Sequence, residues 1–168
     1  FTVHIPANAQ GETWVIQVND FRDLADNVHN SVCDGDGPLN GTYPCTLRAA
    51  LFEANHYADA EGGGVLINLP TGTYTLTLSG QPEDYGQSGD LDIHPDGTNI
   101  VIQGASAQTT IIDANDLDRV FHIFQPASSS GYSVALRDLT ITGGRLSGPG
   151  TSNVYYCGAG IFNYGDLS

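Results

Sequence analysis

Residues 45–55 of the chain read Cys-Thr-Leu-Arg-Ala-Ala-Leu-Phe-Glu-Ala-Asn, the one stretch with a clear helical pattern. Leucine and alanine recur at positions 47, 50, 51 and 54, which places an apolar stripe along a helix. Thr46 is a typical N-cap residue, and Asn55 tolerates the left-handed conformation that ends many helices. A helix this short is stable only when its apolar face docks on another element. The sequence therefore predicts a helix over about 46–55 that plugs the open end of a larger structure.

The rest of the chain has the composition of an all-β protein. Its 168 residues include 21 Gly and 8 Pro, and 40% of them are hydrophobic. Frequent turn formers favour short strands, and this length is enough for one domain with a real core.

Short apolar triplets recur after the helix at loosely regular intervals. Thr110–Ile112 and Leu139–Ile141 start 29 residues apart, as do Leu91–Ile93 and Val120–His122. Repeats of about 20–50 residues that are built from short strands indicate a solenoid. Hairpin dipeptides between adjacent strands are scarce, which disfavours a sandwich. We therefore predict an all-β fold, a right-handed parallel β-helix with three strands per coil and one short N-terminal capping helix.

The first residues are set apart from this repeat. An isolated strand-like piece with Phe1, Val3 and Ile5 is followed by a turn-forming stretch. We predict a strand extension over 1–13, a candidate donor strand for another molecule, and a single β-helix domain over 14–168.

Charge excludes several classes of partner. The chain has 19 acidic and five basic residues and a formal net charge of −14. This charge repels phosphate backbones and anionic lipid, so we expect no nucleic-acid partner. No apolar run approaches the roughly 18 residues of a membrane span, so no membrane insertion is expected.

The cysteines favour an oxidising environment. Cys33 and Cys45 flank a loop rich in Gly, Asp, Pro and Asn, and a disulfide there would contribute about 3 kcal/mol. Because three cysteines without ligand spacing make a poor zinc site, we predict this disulfide and an extracellular or cell-surface location. A buried free thiol is the favoured state of Cys157, and the alternative is a bond to another chain. A start at Phe1 without any Met is expected of a processed product.

Carboxylates are dense around the first cysteine. They supply four candidate calcium ligands: Asp23, Asp26, Asp34 and Asp36. The spacing of an EF-hand is absent, so a plain acidic loop is the favoured interpretation. Asn40 begins a glycosylation sequon in the same loop.

Residues 45–55 also resemble a known motif, the CSLREA-type motif of secreted and surface proteins that continue as pectin-lyase-like β-helices. The likeness extends through Gly72–Leu76, Gly89–Ile93, Thr110–Asp113, Leu117–Phe121, Leu139–Gly144 and Gly158–Asn163. The resemblance covers about residues 14–165 and implies an extracellular, repeat-built surface protein. Two departures are that Phe1–Ile5 precedes the usual start and that the repeats expected after Tyr164 are missing.

An enzyme is the weaker interpretation, although parallel β-helices include polysaccharide lyases and hydrolases. Candidate carboxylates and acid/base groups are Asp90, Asp92, Asp113, Asp116, Asp118, His94 and His122. The motifs of polygalacturonases and of serine or cysteine nucleophiles are absent, and no Lys is present to hold an acidic polysaccharide. The Asp-rich turns are more simply explained as Asx turns. We expect Arg48 to anchor the helix to the acidic loop and Arg119 to pair with Asp113, Asp116 or Asp118.

The sequence thus favours a non-enzymatic extracellular structural protein that assembles head to tail with itself into a filament. The expected assembly residues at its far end are Ile161, Phe162 and Leu167. One alternative is the N-terminal fragment of a large adhesin, and another is a polysaccharide lyase or hydrolase. Carbohydrate is a candidate partner, and calcium is the one candidate cofactor.

Overall fold

The computed structural model describes residues 13–35, 43–57, 63–80, 84–125, 131–146 and 158–168, and these contain one helix and eleven short strands. In chain order they are β1 (Thr13–Gln17), α1 (Leu47–His56), β2 (Gly64–Leu69), β3 (Gly72–Thr75), β4 (Leu91–Ile93), β5 (Asn99–Gly104), β6 (Thr110–Asp113), β7 (Phe121–Ile123), β8 (Ser133–Arg137), β9 (Thr140–Thr142), β10 (Ile161–Asn163) and β11 (Asp166–Leu167). Outside the described residues lie Phe1, Val3, Ile5, Asp36, Asn40 and Cys157, so the predictions made for them stay predictions.

The strands form three parallel sheets within the described residues. Their orders are β1-β2-β5-β8-β11, β4-β7-β10 and β3-β6-β9. From β2 onward, each strand pairs with the strand three places later in the chain. The described chain is therefore mainly parallel β-structure with a single helix, as the composition and the short apolar triplets predicted.

The core is made of matching side chains that stack from strand to strand. Val65 pairs with Ile100, which pairs with Val134, and all three side chains are fully buried. Burial of such a side chain contributes about 1.5–3 kcal/mol relative to exposure. Strands β2 and β5 alternate buried and half-buried residues, so each has one face in the core.

The register of two strands differs from the predicted repeat. The predicted spacing of 29 residues holds for β6 and β9, where Ile112 pairs with Ile141. It is wrong by one for β4 and β7, where Leu91 pairs with Phe121 rather than with Val120. Val120 lengthens the apolar run and makes two registers look alike in sequence. In the observed register, the large apolar side chains of β4 and β7 stack on the same face of the sheet.

Helix α1 lies against β4 and β2. Thr46 is its N-cap, as predicted, and accepts a hydrogen bond from the Ala49 N–H at 3.2 Å. The expectation that Asn55 ends the helix is wrong, because the helix continues to His56 and the extended residue Tyr57 caps it. Asn55 bonds to the edge of β4 instead. Its amide donates to the Asp92 carbonyl at 2.9 Å and accepts from the His94 N–H at 2.9 Å.

Candidate functional site

The chemistry-bearing residues collect on one face of the sheet β4-β7-β10. Asp92, His122 and Phe162 are in register on these three strands, and they alternate with side chains that point into the core. Both faces of β4 and β7 are buried. The segment 84–90 contributes to this cover, since the Gly86 N–H donates to Asp92 Oδ2 at 2.8 Å.

His122 is the centre of this group. Its Nδ1 lies 3.5 Å from Asp92 Oδ1 and 3.9 Å from Asp84 Oδ1. The exposed fractions of the side chains are 8% for His122, 0% for Asp92 and 55% for Asp84. Neither ring nitrogen of His122 has a hydrogen-bond partner among the described residues. The ligand atoms of the three residues all lie within 4.8 Å of one another, so they could hold one metal ion.

Aromatic rings surround this imidazole. The ring centroid of His122 lies 3.8 Å from that of Phe124 and 5.1 Å from that of Phe162. His94 stacks on Phe124 at 4.0 Å, and its Nε2 is 2.8 Å from the Asp84 carbonyl oxygen. The rings restrict the orientation of His122, and His94 fixes the segment that carries Asp84.

A buried ion pair lies beside this group. Arg119 Nε donates to Asp90 Oδ2 at 2.6 Å, and both side chains are buried. Burial and the neighbouring Asp92 raise the pKa of Asp90 to about 6, although Arg119 acts in the opposite direction. The expected pairing of Arg119 with Asp113, Asp116 or Asp118 is therefore wrong. Asp90 lies one residue before β4 and Arg119 lies two residues before β7, so the pairing of these strands brings the two segments close together.

The other candidate carboxylates have backbone roles. Asp113 ends β6, and its Oδ1 accepts from the Asn115 N–H at 2.9 Å. Asn115 and Asp116 both have positive φ, 54° and 56°. This is an Asx turn, as the sequence predicted. Asp118 Oδ1 accepts from the Arg119 N–H at 2.8 Å.

The calcium candidates also bond to the chain itself. Asp23 is ion-paired with Arg48, and its Oδ2 accepts from the backbone N–H groups of Thr77 and Leu78. Asp26 accepts from two backbone N–H groups, including that of Asp34 at 3.2 Å. Burial and Asp26 raise the pKa of Asp34. Calcium binding by these residues stays a prediction.

Arg48 anchors the helix to the acidic loop, as expected, and it also bonds to the segment that lies over β4. Its side chain is 1% exposed, and its five donors all have acceptors. Two of these acceptors are oxygens of Asp23, and the others are the carbonyls of Gly86, Gly89 and Asp90. The helix, the acidic loop and the segment over β4 are thus joined through one guanidinium group. The predicted disulfide between Cys33 and Cys45 is present in the same region.

The expected assembly residues lie on edge strands. Ile161 and Phe162 belong to β10, and Leu167 belongs to β11. Among the described residues each of these strands has a neighbour on one side only, and the three side chains are half-buried.

Two residues escaped sequence reasoning. Asp84 lies in an irregular stretch, and no local pattern links it to His122. Asn55 looked like a helix terminator, since an amide that bonds to a strand edge has no sequence signature of its own. Alignment of the triplets of β4 and β7 in the observed register would have placed Asp92 beside His122.

No described helix has the length and apolar character needed to cross a membrane. Comparison with family models, curated proteins and solved structures finds no match to this chain.

Proposed function

We propose that this chain is a non-enzymatic, extracellular structural subunit, a right-handed parallel β-helix of the CSLREA type that assembles head to tail into a surface filament. The observation that carries the proposal is the arrangement of the sheet edges. This observation concerns the shape of the sheets and the capacity of their edges to pair with another strand, rather than a reactive side chain.

The order of the strands supports the β-helix. Three consecutive strands belong to three different sheets, and the next three repeat the same order of sheets. A chain that coils around one core produces this pairing of each strand with the third strand after it. The in-register stacks of valine and isoleucine fit the same description.

The edges on the side of the later strands support assembly. β9, β10 and β11 are each the last strand of a sheet within the described residues. Ile141, Ile161 and Leu167 on these strands are half-buried, whereas their pairing partners Ile112, Phe121 and Val134 are fully buried. Edges with unpaired backbone groups beside partly exposed apolar side chains favour the addition of another strand.

The sheet edges on the side of the earlier strands differ in structure from those at β9, β10 and β11. This difference favours a filament over a closed dimer. Asn55 of α1 bonds to the edge of β4, and β1 is the edge of the largest sheet. Contact between two unlike edges is heterologous, and contacts of this kind that do not close a ring give filaments. A location outside the cell is supported by the Cys33–Cys45 disulfide.

Electron microscopy of the purified native chain at moderate concentration tests the proposal. We expect regular filaments with the axial repeat of one short β-helix. Dispersed particles of 17.7 kDa would contradict it. They would favour the alternative that further coils of a larger adhesin cover the edges of β9, β10 and β11, which the intact mass of the native product would establish. Release of reducing ends or unsaturated sugars from polysaccharides would favour an enzyme.

A further inference from the structure

We propose that Asp84, Asp92 and His122 bind one divalent transition-metal ion, and that Zn²⁺ suits the site best. This inference does not depend on the proposed filament. It rests on the distances, burial and surroundings of the three side chains.

The distances fit ligands of one ion better than they fit hydrogen bonds. Zinc binds nitrogen and carboxylate oxygen at about 2.0–2.2 Å, which puts two ligands of a tetrahedral ion roughly 3.4 Å apart. His122 Nδ1 lies 3.5 Å from Asp92 Oδ1 and 3.9 Å from Asp84 Oδ1. Hydrogen bonds from nitrogen to oxygen are shorter, at about 2.7–3.2 Å. The three atoms thus surround a space of the size that an ion needs.

The burial of His122 is the second observation. Its side chain is more than nine-tenths buried, and both ring nitrogens are without a hydrogen-bond partner among the described residues. A buried polar group without a partner costs free energy, and native structures rarely leave one so. A metal ion bound at Nδ1 would give that nitrogen a partner and would balance the two carboxylates.

The site is held in place by its neighbours. The Gly86 N–H bonds to Asp92 Oδ2, which leaves Oδ1 on the side of His122. The ring of His94 contacts the Asp84 carbonyl, and Phe124 packs against the imidazole of His122. Such outer contacts orient the ligands of metal sites in proteins.

The ligand types select the metal. Calcium and magnesium prefer six or more oxygen ligands, whereas imidazole with carboxylates suits zinc and its first-row neighbours. Three protein ligands leave the fourth position of a tetrahedral ion for water or for a group of another molecule. The partly exposed side chain of Asp84 provides the route from solvent.

Calorimetric titration of the EDTA-treated full chain with Zn²⁺ tests the proposal. We expect one ion per chain at this site, and a loss of affinity of at least about tenfold in Asp84→Asn and in His122→Phe, because loss of even an outer partner costs roughly 10–100-fold. The matched control is Asp116→Asn, which removes an exposed carboxylate from a turn after β6 where asparagine is accommodated; its affinity should equal that of the wild type. Zinc affinities that are equal in all four proteins, or tighter binding of Ca²⁺ than of Zn²⁺, would overturn the proposal.

Two further readouts do not depend on calorimetry. The Tm of the wild-type chain should rise with added Zn²⁺, and that of Asp84→Asn should rise less. Because Asp84 is exposed, this variant is expected to fold even if His122→Phe does not. Co²⁺ should give the visible absorption of a four-coordinate ion in the wild type. A wild-type Tm that zinc leaves unchanged would contradict the proposal.

Discussion

Arg48 is the largest fully buried side chain among the described residues. Burial of a guanidinium is costly when its donors lack acceptors, and here Asp23 and three backbone carbonyls accept from all five donors. The sequence predicted the acidic partner, because Arg48 follows a loop rich in aspartate. It could not predict the carbonyls, since the residues that supply them lie about forty positions away and reach Arg48 only in the folded chain.

Replacement of this arginine should be strongly destabilising. In Arg48→Met the buried carboxylate of Asp23 loses its counter-ion, and we expect the free energy of unfolding to fall by about 3–5 kcal/mol. Urea denaturation would measure this loss. The control is Arg22→Met, which breaks the exposed pair with Asp20 and should leave the midpoint nearly unchanged. Equal midpoints for wild type and Arg48→Met would show that the buried pair contributes no net stability.

Glu53 should make stability depend on pH. Burial raises its pKa from 4.5 to about 7, even though the backbone N–H groups of Asn30 and Ser31 bond to its carboxylate. Between these two values the folded chain keeps a proton that the unfolded chain releases, so stability falls as the pH rises from about 4.5 to about 7. We expect a fall of about 3 kcal/mol at most from this group, and less where solvent screens the carboxylate.

Chemical denaturation from pH 4.5 to 8 checks this expectation. In Glu53→Gln the fall should be smaller, because the amide does not titrate. Asp116→Asn, in which the lost carboxylate is exposed, should keep the wild-type profile. A fall in Glu53→Gln that equals or exceeds that of the wild type would contradict the assignment.

At the scale of elements, α1 completes the edge of a sheet with one side chain. The Asp92 carbonyl and the His94 N–H are the groups that a residue of a further parallel strand would bond, and the amide of Asn55 takes that residue's place. The sequence predicted the helix, its N-cap and its docking on the β structure. The role of Asn55 was missed because it depends on how the helix docks.

Loss of this amide should loosen both elements. In Asn55→Leu the Asp92 carbonyl and the His94 N–H lose their partner, and we expect a cost of about 1–3 kcal/mol together with faster hydrogen exchange at the His94 N–H. Asn55→Asp is the matched control, because it retains an acceptor for that N–H. Protection of the His94 N–H should therefore survive in Asn55→Asp and be lost in Asn55→Leu. Wild-type protection of the His94 N–H in both variants would mean that this protection does not depend on the hydrogen bond to residue 55.

At the scale of the whole molecule, the three sheets present two unlike sets of edges. The spacing of apolar triplets predicted parallel strands that repeat, and the three sheets contain them. Asp92 and His122 could have been placed together by aligning the triplets of β4 and β7, whereas the contribution of Asp84 was not predictable, because it comes from an irregular segment. The local pattern of apolar residues determines where the strands form. The fold then brings together side chains whose proximity no local sequence pattern indicates.

The proposed filament makes a further prediction for the whole chain. If the N-terminal piece with Phe1, Val3 and Ile5 is a donor strand, deletion of residues 1–10 should leave folded monomers that do not polymerise. Sedimentation and circular dichroism of the truncated and full chains would measure assembly and folding separately. Unchanged polymers would rule out strand donation, while the contact through the sheet edges would still be tested by microscopy of the full chain.

The five bonds of Arg48 also bear on the order of folding. The guanidinium gathers acceptors from residue 23 and from residues 86–90, so the helix that carries it cannot reach its final place until the chain beyond β3 has folded. Contacts between segments so far apart in sequence require the closure of long loops, which is slow. We therefore expect the docking of this helix to belong to the late stages of folding.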